Sequence, residues 1–154
     1  MGNYVCLLFS CNVNEFLGAD QLLQGEIELA LAQQQIDLAE AKCDRGTSIA
    51  RTLGVRRLLP PFLQLGAQIY QARGELDRAA ESLAEACSIA ESIGARTSQL
   101  FALIDLIDLE PQRGHDPARL IDQARPLAQF LIDHCPDHLR VGFEAKLKAS
   151  TTAW

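Results

Sequence analysis

The sequence is short of the parts that chemistry, membranes and nucleic acids require. Aromatic residues make up 6% of the chain, with one Trp, one Met and three His, too few for the convergent aromatic lining of a small-molecule pocket to be evident. Fourteen basic against twenty acidic residues give a formal charge of −6. No run of Lys or Arg forms a stripe that could neutralise phosphates, so no direct nucleic-acid ligand is expected. There is no Gly-rich phosphate loop with its Lys and Ser or Thr, and no Ser or Cys stands in a nucleophile elbow. The apolar stretch Tyr4-Val5-Cys6-Leu7-Leu8-Phe9 is far too short to span a bilayer and no basic residue precedes it. Leu8-Phe9-Ser10-Cys11 offers the letters of a lipoprotein cleavage box, but without a positive region before it the segment reads as an irregular or docked leader. No membrane association, cofactor or enzymatic activity is expected.

What is present is a helical palette rich in Ala, Leu, Gln, Glu and Arg, and a hydrophobic content of 48% that excludes a wholly disordered chain. Cys6, Cys11, Cys43, Cys87 and Cys135 are odd in number and scattered, the pattern of free thiols in a reducing cytosol, and a cytoplasmic location is expected. Cys43 and Cys87 fall inside amphipathic patterns and read as small core residues.

The strongest signal is an internal repeat. Leu23, Leu63, Leu103 and Phe143 recur every 40 residues, each followed four positions later by Ile27, Ala67, Ile107 and Leu147. A second register agrees, since Ser48-Ile49-Ala50-Arg51-Thr52-Leu53-Gly54-Val55-Arg56 returns as Ser88-Ile89-Ala90-Glu91-Ser92-Ile93-Gly94-Ala95-Arg96. Periods of this size mark units that cannot bury an apolar face alone and stack on their neighbours.

Gly54, Gly74, Gly94 and Gly114 fall 20 residues apart and predict a helix stop in each interval. Helices are expected over about Asp20 to Gln33, Ile36 to Leu53, Arg57 to Arg73, Leu76 to Ile93, Arg96 to Glu110, Pro117 to His134 and Asp137 to Ala149. Pro60-Pro61 suits the start of the third helix, Asp116 is the expected N-cap of the sixth, and Pro126 should kink or split it. In the fifth, Leu100, Phe101, Leu103, Ile104, Leu106, Ile107 and Leu109 cover nearly the whole circumference, which predicts the most buried helix or a partner surface.

The third and fourth helices resemble the tetratricopeptide repeat. Tyr70, Ala79, Leu83 and Ala86 meet its spacing of aromatic, small, large and small residues, and Leu63 and Ala67 fit its earlier large and small positions. Ala39, Cys43 and Gly46 fit the preceding unit in part. In the following unit Glu110 stands where the aromatic should. The longer period and the SIAxxxGxR wording look like the C-terminal arms of large bacterial LuxR-type activators and signalling ATPases, over about Asp20 to Ala149. The resemblance implies an all-α, right-handed solenoid of antiparallel helix pairs with a 40-residue period and about seven helices. It further implies a non-repeat leader (1–18), a repeat domain (19–149) and a short tail (150–154).

In such arrays the first helix of each pair lines a concave groove. Carried over position by position, this places Gln64, Gln68 and Gln71 on the groove, with Gln24 and Glu28 one repeat earlier and Asp108 and Gln112 one repeat later. Carboxamides both donate and accept, as an extended peptide backbone requires, and Glu28 and Asp108 would favour a basic side chain. The expected role is a protein-interaction scaffold that binds a peptide or helix, as a regulatory arm or a piece of a larger signalling or transcription regulator; the alternative is a small-molecule-sensing regulatory domain. His134-Cys135-Pro136-Asp137-His138 reads as an interhelix turn rather than a metal site, since no fourth ligand is spaced to complete a tetrahedral set. His115 reads as a lone exposed residue, and Asp105 with Asp108 as a wet edge rather than an acid–base pair. The seventh helix matches the first of a new pair without its mate, so Leu139, Phe143 and Leu147 should pack inward while Val141 offers a surface for self-association or for a missing parent segment.

Overall fold

Helices form here where apolar residues step by three and four, and the turns that follow the first five each carry a left-handed residue. The computed structural model describes residues 20–136 and positions 140, 141 and 144. Among the described residues there are six α-helices and no strand. They are α1 over 20–32, α2 (Ile36–Thr52), α3 (Leu59–Ala72), α4 (Leu76–Ser92), α5 (Arg96–Leu109) and α6 (Ala118–Asp133), with 3-10 turns at Arg56–Leu58 and Glu110–Arg113. Positions 140, 141 and 144 are also helical. The rest of the expected seventh helix, including Leu139, Phe143 and Leu147, lies outside the described residues, as do the leader and the tail.

Gly54, Gly74, Gly94 and Gly114 take φ of 67, 77, 69 and 79°. The turn between α1 and α2 does the same with Gln34 at φ 59°, a conformation that L side chains adopt at a cost of about 1–3 kcal/mol. After each of these five residues the next N–H bonds to the carbonyl five positions back, from Gln35 to Ala30, Val55 to Ala50, Glu75 to Tyr70, Ala95 to Ala90 and His115 to Glu110, all at 2.8 to 2.9 Å. This bond satisfies one of the carbonyls that a helix end leaves open.

Each helix packs on the next, and α3 also touches α5. The neighbours of α3 are antiparallel to it: Asp37 at the start of α2 meets Arg73 at the end of α3, while Arg78 early in α4 lies over the Tyr70 ring late in α3. With helices on both sides, α3 buries Leu59, Pro60, Phe62, Leu63, Leu65, Ala67 and Ile69. α5 buries Leu100, Ala102, Leu103, Ile104, Ile107 and Leu109. The expectation that α5 is the most buried helix is therefore corrected. Its wider apolar circumference is interrupted by exposed Asp108 and half-buried Asp105, whereas α3 has partners on more of its surface.

Small residues set how closely the helices approach. A Cβ on Gly46 of α2 would stand 2.4 Å from Phe62 Cε1, and one on Gly66 of α3 would meet Ser82 Oγ at 3.6 Å and Cys43 Sγ at 3.7 Å. At this level α2 and α4 both hydrogen-bond the α3 backbone. The Cys43 thiol donates to the Phe62 carbonyl (3.1 Å) and the Ser82 hydroxyl to the Leu63 carbonyl (2.8 Å). Two ion-pair sets tie helix starts to later helix ends across 36 residues: Arg73 to Asp37 at 2.6 Å and Arg113 to Asp77 at 3.0 Å. Such exposed pairs are worth about 0–1 kcal/mol each, so they fix register more than stability.

At α6 the expected split at Pro126 is corrected, and Asp116 takes the capping role expected of it. Pro126 lies inside an unbroken helix at an exposed position, where water can serve the Asp122 carbonyl that loses its helical donor. Asp116 precedes Pro117, and its Oδ1 accepts from the Ala118 N–H at 3.0 Å, the bond expected of a capping side chain. No helix among the described residues is long and apolar enough to cross a membrane.

Two predictions follow from the packing around Phe62. Gly46→Ala gains up to about 1 kcal/mol of helix propensity, but overpacking against a fully buried ring should cost about 1–3 kcal/mol. Urea denaturation should therefore show a net loss that the added substitution Phe62→Leu partly restores; a stabilised single variant would refute the close approach. The second concerns Cys43, whose thiol is pushed up to about 11 from its ordinary 9.0, chiefly by burial and then by the charge of Asp44. The folded state holds this proton longer than the unfolded chain, so the stabilisation is complete below pH 9 and is lost as pH rises toward 11. Unfolding midpoints measured across that window should fall more steeply for the wild type than for Cys43→Ser.

Candidate functional site

α1, α3 and α5 run side by side, and their shared face is hollow. One cavity of about 370 Å³ is lined by Gln24 and Glu28 from α1, by Pro61, Gln64, Leu65 and Gln68 from α3, and by Phe101, Ile104 and Asp105 from α5. A second of about 190 Å³ continues it through Gln64, Gln68, Gln71, Asp105 and Asp108. A third of about 540 Å³ opens at the opposite end, where Asp20, Gln24, Arg57, Pro61 and Arg96 meet Phe130 of α6. Neighbouring cavities share residues in rising sequence order on every helix. The three helices are therefore parallel, and the cavities form one trough along their axes.

The spacing of the α3 carboxamides explains how they reach this face. Gln64, Gln68 and Gln71 are separated by four and three residues and so stand in one row, while Phe62, Gly66 and Ile69 point to the other side of the helix. The floor between them is apolar, built from Pro61, Leu65, Phe101 and Ile104. One bond crosses it, from Gln64 Nε2 to Asp105 Oδ2 at 3.2 Å. Although Asp108 is exposed, partial desolvation beside the trough raises its carboxyl above its ordinary value.

Six of the seven residues expected to line a groove, Gln24, Glu28, Gln64, Gln68, Gln71 and Asp108, border the trough. Gln112 does not: it lies in the 3-10 turn after α5 and donates to the Asp108 carbonyl at 3.1 Å. The sequence reading missed Asp105 as a lining residue. Its placement three residues before Asp108 on the same helix was the available signal. It also missed the apolar floor, because Phe101 and Ile104 read as ordinary core.

On the other side of α3 lies a cleft of about 350 Å³ between α2 and α4, with Cys43, Phe62, Gly66 and Ser82 at its base and Glu40, Arg51, Arg78 and Glu85 on its rim. The arginines at this cleft are already paired: Arg51 with Glu85 at 2.8 Å, Arg73 with Glu40 at 2.6 Å, and Arg78 with Glu75. Glu110, at the position where the resemblance calls for an aromatic, is buried and is held by Arg113 at 2.5 Å and His115 at 2.7 Å. His115 is thus exposed, as expected, but not lone. His134 stacks on Phe130 at 4.1 Å and its Nδ1 lies 2.8 Å from the Phe130 carbonyl oxygen; Asp137 and His138 lie outside the described residues.

Comparison with family models, with curated proteins and with solved structures returns no match to this chain.

Proposed function

We propose that this chain is a tetratricopeptide-like, right-handed solenoid with a 40-residue unit, and that it serves as a protein-interaction scaffold gripping an extended peptide in the trough on α1, α3 and α5. The observation that carries the reading is the row of Gln24, Gln64, Gln68 and Gln71 brought to one concave face from two helices. A peptide backbone offers alternating N–H and C=O groups, and carboxamides answer both. The apolar floor supplies desolvated contact for every second side chain, and Glu28, Asp105 and Asp108 favour a basic residue. Support for a binding role over a reactive one comes from the same residues, since none pairs a nucleophile with a base. The chain acts without a cofactor, as a regulatory arm or a piece of a larger signalling or transcription regulator, on a protein partner rather than on nucleic acid or membrane.

The test is capture of partners from a lysate of the source cell by the wild type and by a Gln64→Ala, Gln68→Ala, Gln71→Ala variant of unchanged helicity. Partners that depend on the trough should be lost from the variant, and basic peptides derived from them should bind the wild type roughly tenfold more tightly or better. Retention of every partner by the variant would end the proposal. Because partial desolvation raises the Asp108 carboxyl, binding of such peptides should weaken on acidification earlier than an ordinary aspartate would allow, and Asp108→Asn should remove that sensitivity.

Self-association through the C-terminal edge belongs to the same proposal, supported by Val141, which is 76% exposed. Sedimentation at high micromolar concentration should show a dimer that Val141→Asp dissociates; a monomeric wild type would remove this element.

A further inference from the structure

The wide end of the trough holds a combination of charges that the peptide reading does not use. Asp20 is 7% exposed, and its Oδ1 is buried without a hydrogen-bond partner. A buried carboxylate costs several kcal/mol unless an opposite charge meets it. Two guanidiniums, Arg57 and Arg96, line the same cavity, yet neither forms an ion pair with it or with any other described carboxylate. Arg96 is instead held over the Phe130 ring at 4.1 Å.

The start of α5 faces the same space. No side chain caps this helix, and the backbone bonds at its first turn run from Arg96 N to Gly94 O and from Gln99 N to Ala95 O. The Thr97 and Ser98 N–H groups between them have no backbone acceptor, and both residues border the cavity. Open N–H groups at a helix start attract an anion. An anion alone would be repelled by Asp20, and a cation alone by the two arginines. A ligand with both charges a few ångströms apart satisfies the whole set.

We propose that this cavity binds a free α-amino acid with an apolar side chain. The ammonium group donates to Asp20, and the carboxylate accepts from Arg57, Arg96 and the open N–H groups of Thr97 and Ser98. The side chain lies against Leu58, Pro61, Phe130 and Leu131. A peptide terminus meets the arginines equally well, but its amide brings Asp20 a neutral donor where the buried carboxylate calls for a cation. The site therefore selects the free amino acid. It shares Gln24 and Pro61 with the peptide-binding part of the trough, so an occupant at this end would alter the trough directly.

Isothermal titration of the full chain with L-leucine, L-methionine and L-phenylalanine tests this, with L-leucinamide and N-acetyl-L-leucine as analogues lacking one charge each. At least one of the three amino acids should bind saturably at one per chain, roughly tenfold or more tighter than either analogue, the loss expected for a charge-assisted hydrogen bond. Asp20→Asn and Arg57→Gln should each weaken binding by about the same factor, the Arg57 variant with unchanged thermal unfolding and the Asp20 variant with unfolding unchanged or raised, since it removes an uncompensated buried charge. Arg57 is exposed, so its variant carries the test even if the Asp20 variant folds poorly. Absence of binding at millimolar amino acid, equal binding of the acetylated analogue, or indifference to both substitutions would overturn the proposal. Gln68→Ala with Gln71→Ala should leave amino-acid binding intact while weakening peptide capture, so the two readings fail separately.

Discussion

The structure depends on how tightly α2 and α4 close on α3. Gly46 removes the side chain that would hold α2 away from α3, and the Phe62 ring fills the space that Gly46 leaves. Two side-chain donors, Cys43 from α2 and Ser82 from α4, then reach adjacent carbonyls on the same face of α3. Each bond is worth about 1 kcal/mol net, but their position matters more than their strength. They form only when the helix axes are close and the registers of both neighbours are correct. Phe62, fully buried, adds about 1.5–3 kcal/mol of its own. Close approach, register and burial are therefore one constraint here.

A helix held in this way by α2 and α4 has committed one face, and its other face is left to line a trough. The residues of α3 at 62, 66 and 69 belong to the clamp, and those at 64, 68 and 71 stand opposite. The contact of α3 with α5 then closes the far wall, since α4 connects them and packs on both. Turns that each carry a left-handed residue reverse the chain between successive helices, which leaves α1, α3 and α5 parallel. The concave face is thus a consequence of the clamp and the turns together.

Much of this was legible before any coordinates. The glycine spacing placed four of the five left-handed turns, because Gly tolerates that conformation without cost. The fifth, at Gln34, was invisible: a glutamine there gives no signal, and only the packing of α1 on its neighbours can hold it. The groove positions were legible by carrying the repeat register from Gln64, Gln68 and Gln71 to Gln24, Glu28 and Asp108. Gln112 failed because the helix tightens into a 3-10 turn at Glu110, which takes the residue off the face that an α-helix would have kept. The expected split at Pro126 did not occur, because its missing bond falls on the exposed side of α6. Asp20 carried no signal at all, since nothing in a sequence distinguishes a buried unpartnered carboxylate from a first-turn acid on the surface.

The two sides of α3 differ in how their polar groups are spent. On the outer side, Arg51, Arg73 and Arg78 already have carboxylate partners within the chain, so a ligand arriving there would have to break pairs before making its own. On the trough side, among the described residues, Gln64 is tied to Asp105, while Gln24, Glu28, Gln68, Gln71, Arg57 and Arg96 enter no ion pair or side-chain hydrogen bond. Binding free energy comes from the difference between what a group gains from a ligand and what it gives up. A surface whose charges satisfy one another gains little from a partner, whereas a concave face of unpaired carboxamides and separated charges loses only water. By that argument the trough, whose charges run from Asp20, the arginines and an open helix start to Glu28, Asp105 and Asp108, is the face that the proposed ligands favour.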